Sequence, residues 1–174
     1  LPKDNNVYWY PSVSASWLFS QLLNVDWLQL GKLRLGYAQV GNDAPWGSTK
    51  DTYGYTGNFG GTAMFSSPND KANENLKPEI SSSLEAGIEM TFFQKRLGFD
   101  LAYYKNNTVN QIMPVAVSFA TGYSGKYVNA GEVQNQGVEL NVYGTPVKSG
   151  DFKWDVVLNW ARNRNEVIKL DSGL

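Results

Sequence analysis

The sequence predicts an all-β fold of antiparallel strands, best read as a segment of a transmembrane β-barrel, and three observations predict it. Apolar and polar residues alternate without interruption over several stretches of about ten residues. Short turns and long polar loops connect those stretches in alternation, and aromatic side chains gather near the ends of the apolar stripes.

Taken in order along the chain, residues 7–17 form the weakest strand, with Val7, Trp9, Val13 and Ala15 as its apolar positions. Residues 18–30 place Leu18, Phe19, Leu22, Leu23, Trp27, Leu28 and Leu30 at a spacing nearer 3.6 than 2, which predicts a short helix or turn. A strand over 32–41 follows, Leu33, Leu35 and Tyr37 opposing Arg34, Gly36 and Ala38. The clearest period of two runs over 83–92, where Leu84, Ala86, Ile88, Met90 and Phe92 alternate with Ser, Glu, Gly, Glu and Thr. Gln94, Lys95 and Arg96 turn the chain, and Leu97, Phe99, Leu101 and Tyr103 carry the stripe back, an antiparallel hairpin. A second hairpin pairs Val138, Leu140 and Val142 with Phe152, Trp154, Val156, Leu158 and Trp160 across a turn over 145–150. That makes six strands of one sheet and a single domain over residues 1–174, with long loops over 42–79 and 108–134. The first loop has room for a short hairpin of its own.

Charge and residue types narrow the function. Lys and Arg total 15 against 16 Asp and Glu, so no basic surface for nucleic-acid phosphates is implied. The chain has no Cys and no His, which removes disulfides, thiol nucleophiles, imidazole acid/base chemistry and the usual zinc ligand sets. No run reaches the roughly 18 apolar residues of a membrane-spanning helix, but a transmembrane strand leaves no such signature. Residues 1–11 lack the charged start and apolar run of a secretory signal, so any signal is expected upstream.

Alternation alone fits a soluble β-sandwich as well as a barrel. The polar face distinguishes the two: it sets Arg34, Glu85, Glu89, Asp100, Glu139 and Asp155 among Gly36, Gly87, Gly98 and Gly137, a composition suited to a wet lumen. On the apolar face Phe92, Phe93, Phe152 and Trp154 cluster at the short turns, with Tyr103 and Trp160 toward opposite strand ends, as in aromatic girdles. Strands of about 10 residues tilted near 40° cover the roughly 25 Å apolar height of such a barrel. On this reading Leu84, Ile88, Phe99, Leu101, Leu140, Val156 and Leu158 face lipid.

Several runs carry a closer resemblance. Asn75-Leu76-Lys77-Pro78-Glu79, continued by Ser81, Glu85 and Gly87, resembles the start of a late barrel strand in TonB-dependent outer-membrane receptors. Arg96 to Tyr104 resembles the strand after it, and Thr108 to Ile112 the loop that follows. Lys32 to Gly41, Thr121-Gly122-Tyr123 and Asn129 to Leu140 are similar to the SusC/RagA branch. The resemblance extends from about Trp17 onward and implies part of a plugged barrel of roughly 22 strands. It further implies the outer membrane of a Gram-negative bacterium of the Bacteroidetes, TonB-driven import of a glycan or peptide, no enzymatic activity and no cofactor. The implied partners are a SusD-like surface lipoprotein, TonB acting through an N-terminal part, the remaining barrel strands and outer-membrane lipid. Plug domain, TonB box and C-terminal strands are not recognisable, and residues 169–174 read as polar loop, so an interior barrel piece is expected. The alternative is a soluble or surface-anchored β-sandwich carbohydrate-binding module.

Candidate ligand contacts are the loop aromatics Trp46, Tyr53, Tyr55, Phe59, Tyr123 and Tyr127, which can stack on sugar rings or touch a peptide. The same rings can instead pack the loops against one another or against a lipoprotein lid. Glu85 and Glu89 with Asp100 mimic a glycosidase carboxylate pair, but without a pocket signal they read as lumen lining. Asp4-Asn5-Asn6 and Asn69 to Asn75 offer oxygen atoms without calcium-loop spacing and read as turns, so no metal site is assigned. Gly57-Asn58-Phe59-Gly60-Gly61 lacks the helix and Lys of a phosphate loop. Asn106-Asn107-Thr108 matches a glycosylation acceptor, which is empty in a bacterial protein. No catalytic residue is assigned.

Overall fold

A computed structural model describes residues 7–23 and 25–170. In chain order the elements are β1 (Ser12–Leu18), α1 (Ser20–Leu23), β2 (Leu28–Asn42), β3 (Gly54–Phe59), β4 (Thr62–Ser66), β5 (Asp70–Lys71) and β6 (Glu79–Phe92). They continue with β7 (Leu97–Val109), β8 (Ile112–Ala116), β9 (Gly125–Asn129), β10 (Glu132–Ser149) and β11 (Phe152–Lys169). The six expected strands form one antiparallel sheet in the order β1-β2-β6-β7-β10-β11.

Register converts the sequence alternation into two chemically distinct faces. Trp17, Leu33, Ile88, Leu101, Leu140 and Trp160 pair in succession from β1 to β11, an apolar rung across the whole sheet. The neighbouring rung, on the opposite face, reads Ser16, Arg34, Gly87, Ala102, Glu139 and Ala161. Since side chains alternate with period two, one step of register slip would exchange these faces entirely. All seven residues expected to face lipid lie on the apolar face. The chain does not cover that face with a second sheet: Leu35 is 59% exposed and Leu158 64%. Among the described residues the buried apolar side chains are Leu28, Leu76 and Ala130, far short of a sandwich core.

Several boundaries differ from expectation, each for a local reason. β1 begins at Ser12 rather than residue 7, directly after Pro11, which has no N–H to give a ladder; its carbonyl accepts from Gln39 N–H at 2.9 Å. The helical spacing over 18–30 yields only the single turn α1, and the chain is extended again from Leu28. The turn expected over 145–150 is mostly strand: β10 runs on to Ser149 through a bulge between Gly144 and Val147 that takes up Thr145 and Pro146. Ser149 pairs with Phe152 across a two-residue turn in which Gly150 adopts φ 56°. β11 continues to Lys169, nine residues beyond Trp160 and including the start of the supposed terminal loop.

The long loops are also more ordered than their composition implies. β3 and β4 form the hairpin anticipated in the first loop, turning at Gly60 (φ 56°) and Gly61 (φ 83°). This is where the glycine-rich run acts: both central positions are left-handed, which glycine adopts without steric cost. In the second loop β8 and β9 pair antiparallel, and β5 joins β9 in parallel, so strands from both loops share a three-stranded sheet.

Candidate functional site: a polar wall under a knitted loop layer

On the polar face, Arg34 of β2 is the hub of a charge cluster. Its guanidinium lies 2.7 Å from Asp100 Oδ1 on β7 and 3.6 Å from Glu89 Oε2 on β6. To reach β7 the side chain crosses β6 at Gly87, where a Cβ would lie 2.9 Å from the guanidinium. Tyr104 likewise lies against Gly137, its hydroxyl 2.5 Å from where a Cβ would stand. Tyr143 crosses Gly98 and its hydroxyl shares a 2.8 Å hydrogen bond with Thr91, which is only 5% exposed. Gly87, Gly98 and Gly137 are therefore seats for long side chains lying flat on the wall, a role that composition alone did not disclose.

Arg34, Glu85, Asp100, Glu139, Asn141 and Asn159 line a shallow depression on this face. Glu85 and Glu89 both belong to this wall around one arginine. Replacing Arg34 by Met is expected to destabilise the sheet by about 1 kcal/mol, since the ion pairs are partly exposed. The loss should shrink toward zero at about 1 M salt, where the Debye length is about 3 Å. Urea titration of the refolded receptor at low and high salt measures both.

Above the wall the loops are fastened to one another. Asp51 accepts from Ala72 N–H at 2.9 Å and from the Tyr123 hydroxyl at 3.2 Å, and Lys71 Nζ sits 5.8 Å from the Tyr123 ring centroid. Partial desolvation, then the adjoining Asp51 carboxylate, holds the Tyr123 phenol above its usual range. Asn73 donates to the Tyr127 carbonyl at 3.1 Å. Asn129 binds Lys77 reciprocally, its amide donating to the Lys77 carbonyl and its Oδ1 accepting from the Lys77 N–H, both at 2.7 Å. Glu79 accepts from Asn42 at 2.9 Å and from Ile112 N–H at 2.8 Å. The Asn75 to Glu79 and Asn129 to Gly131 runs thus meet in space: their sequence pattern is the fastener between two loops, with Leu76 and Ala130 buried inside it.

The six candidate aromatics are not gathered into one site. Tyr123 and Tyr127 are half-buried in the knitted layer. Trp46 is 91% exposed at the root of the first loop, Phe59 is 78% exposed near the tip of the β3–β4 hairpin, and Tyr53 and Tyr55 are also exposed. Tyr55 meets Phe65 edge to face at 5.9 Å and donates to Asn58 Oδ1 at 3.0 Å. Phe65, 62% exposed, completes this outer patch but is not among the candidate contacts read from the sequence, because its pairing with Tyr55 depends on a bulge between Tyr55 and Gly57 that a turn at 60–61 does not predict. The Asn69 to Asn75 cluster is occupied in backbone bonds, and Asp4-Asn5-Asn6 lies outside the described residues.

A family model described as TonB dependent receptor-like, beta-barrel, matches residues 2–173. The chain belongs to the TonB-dependent receptor β-barrel family. TonB-dependent receptor P3 of Formosa agariphila is 28% identical over 98% of this chain, and TonB-dependent receptor SusC of Bacteroides thetaiotaomicron is 29% identical over 98%. The chain spans 18% of the length of each. Among solved structures, the RagAB peptide importer in its closed-closed state superposes with a TM-score of 0.86 at 23% identity, covering 99% of this chain and 19% of that one. The siderophore receptor PirA of Pseudomonas aeruginosa gives 0.57 at 20% identity over 95% of this chain and 30% of that one.

For a receptor barrel the two faces acquire their solvents: the apolar face meets lipid and the Arg34 wall faces the lumen. At the short-turn end Trp27 stacks on Phe92 at 5.9 Å, and Phe92 neighbours Phe93 and Phe99 at 6.2 Å each, one aromatic girdle. Membership in a receptor family rather than an enzyme family agrees with the non-enzymatic reading of the carboxylates.

Proposed function

We propose that these residues are a late section of the single barrel domain of a SusC/RagA-type, TonB-dependent importer in the outer membrane of a Bacteroidetes bacterium. The observation that carries this reading is the family-model match over residues 2–173, supported by a fold likeness to a peptide importer that covers 99% of this chain. The knitted loops then form part of the extracellular mouth. There the exposed rings Trp46, Tyr53, Tyr55 and Phe59, and separately the half-buried Tyr123 and Tyr127, offer contacts to a glycan or peptide cargo or a SusD-like lipoprotein partner. TonB acts on a plug carried elsewhere in the protein. A soluble sandwich module is not favoured, because among the described residues no second sheet covers the apolar face and only the short α1 segment lies against part of it.

The reading is tested by fractionating source cells and probing with an antibody against residues 110–134. The expected result is an outer-membrane species whose electrophoretic mobility in SDS changes on boiling. A soluble species unmoved by heat would replace the importer with the binding module.

A further inference from the structure

The lipid-facing side of the sheet is not apolar to its upper edge. Register places Tyr37, Leu84, Lys105, Gln136 and Arg164 on one rung, and Leu35, Ala86, Tyr103, Val138 and Arg162 on the rung below it. Directly beneath runs the fully apolar rung of Leu33, Ile88, Leu101, Leu140 and Trp160. Three cations therefore stand on the outward face at the loop-side border of the apolar band. The opposite border carries Phe92, Leu97, Phe152 and Trp154 instead.

Their geometry is that of a receptor for phosphate. Lys105 and Arg164 are separated by two strand spacings, about 10 Å, and Arg162 and Arg164 by one same-face step of about 7 Å. Their flexible arms can close on a single head group from both sides. Between them Gln136 accepts from the Tyr103 hydroxyl at 3.3 Å through its carbonyl, which leaves its NH2 as a further donor. Glu166, 3.2 Å from Arg164, and Glu132, which accepts from Asn107 at 2.7 Å farther up the same face, are two carboxylates against three cations, so the ledge keeps a positive excess. Arginine binds phosphate bidentately and is less strongly hydrated than lysine, which suits a site at the edge of hydrocarbon. Long cationic side chains at this depth carry their charge up to the head-group layer while their stems stay in apolar surroundings.

We propose that Lys105, Arg162 and Arg164, with Gln136, hold the phosphate of a phosphorylated glycolipid of the outer leaflet. The proposal rests on the membrane orientation given under the proposed function and assigns that orientation a lipid partner.

The test uses the full-length receptor purified from outer membranes, beside K105Q/R162Q/R164Q and the lumen-face control K32Q. Outer-membrane location and the heat-dependent mobility shift are checked first for all three. Retained lipid is then read by native mass spectrometry, followed by addition of phosphorylated lipid A, its dephosphorylated form, or inorganic phosphate. Wild type and K32Q are expected to retain phosphorylated lipid A, and the triple variant about tenfold less, with dephosphorylated lipid A unable to discriminate between them. The single variants K105Q and R162Q should give partial losses, and K105R should restore retention, which keeps the idea testable if the triple variant does not fold. Equal retention by folded wild type and triple variant overturns the proposal and leaves the importer reading intact. Displacement of the lipid by equimolar inorganic phosphate likewise overturns it, in favour of a simple anion site. Absence of the wild type from the outer membrane refutes the orientation on which the proposal depends.

Discussion

Leu101→Arg is expected to cost about 2–4 kcal/mol in bilayer folding, the penalty for a cation at the bilayer midplane. Leu101 lies at the centre of the fully apolar rung, with Ile88 on one side and Leu140 on the other. Three strands thus present aliphatic carbon there, and an arginine would have to reach up past Tyr103 and Lys105 to find water. Urea titration of refolded receptor in lipid vesicles reads the loss directly. A change below about 0.5 kcal/mol would mean the 101 side chain is not in hydrocarbon, since the penalty falls to about 0–1 kcal/mol only near the interfaces. Ala102→Arg, one residue along and on the lumen face, supplies the contrast and should cost much less.

Gly98→Val acts on the opposite face by a different mechanism. A branched side chain there occupies the space of the Tyr143 ring, which must lift and release the hydroxyl it shares with Thr91. Overpacking costs about 1–3 kcal/mol, and stranding a buried hydroxyl adds about 1–3 kcal/mol, so a total of about 3 kcal/mol is expected. Tyr143→Ala in the same background vacates the space and should recover the packing part but not the lost hydrogen bond. A double-mutant cycle showing additivity within about 0.5 kcal/mol would disprove the contact.

Legibility followed the chemistry of each strand's surroundings. From Leu84 to Phe92 and Leu97 to Tyr103 one face meets hydrocarbon and the other does not, so alternation is clean and the strands were readable. Above that band both faces meet polar groups, and Asn106, Asn107, Gln134, Asn135, Asn163 and Asn165 show no period of two although they are paired in β7, β10 and β11. The ladder there is held by backbone geometry, which composition does not report. Pro146 misled for a related reason: it looked like a turn but sits in a bulge, where its missing donor costs the ladder nothing. The loop layer was legible only as motif. Asn129 and Glu79 act through backbone bonds to residues far away in sequence, so their spacing encodes nothing local.

The three non-glycine residues Phe93, Gln94 and Lys95 turn the β6–β7 hairpin with φ of 52°, 56° and 66°, a conformation that costs about 1–2 kcal/mol per residue in isolation. Adjacent chain holds it: Phe93 N–H donates to the Trp27 carbonyl at 3.0 Å, Gln94 N–H to Gln29 Oε1 at 2.8 Å, and Thr145 N–H to the Arg96 carbonyl at 2.8 Å. The bend closes on itself through Arg96 N–H, which donates to the Phe92 and Phe93 carbonyls at 3.1 Å each, and it is braced from outside by the chain around β2 on one side and β10 on the other. The strained tip is thus a joint shared by four strands, so loosening either flanking strand also loosens the hairpin between them.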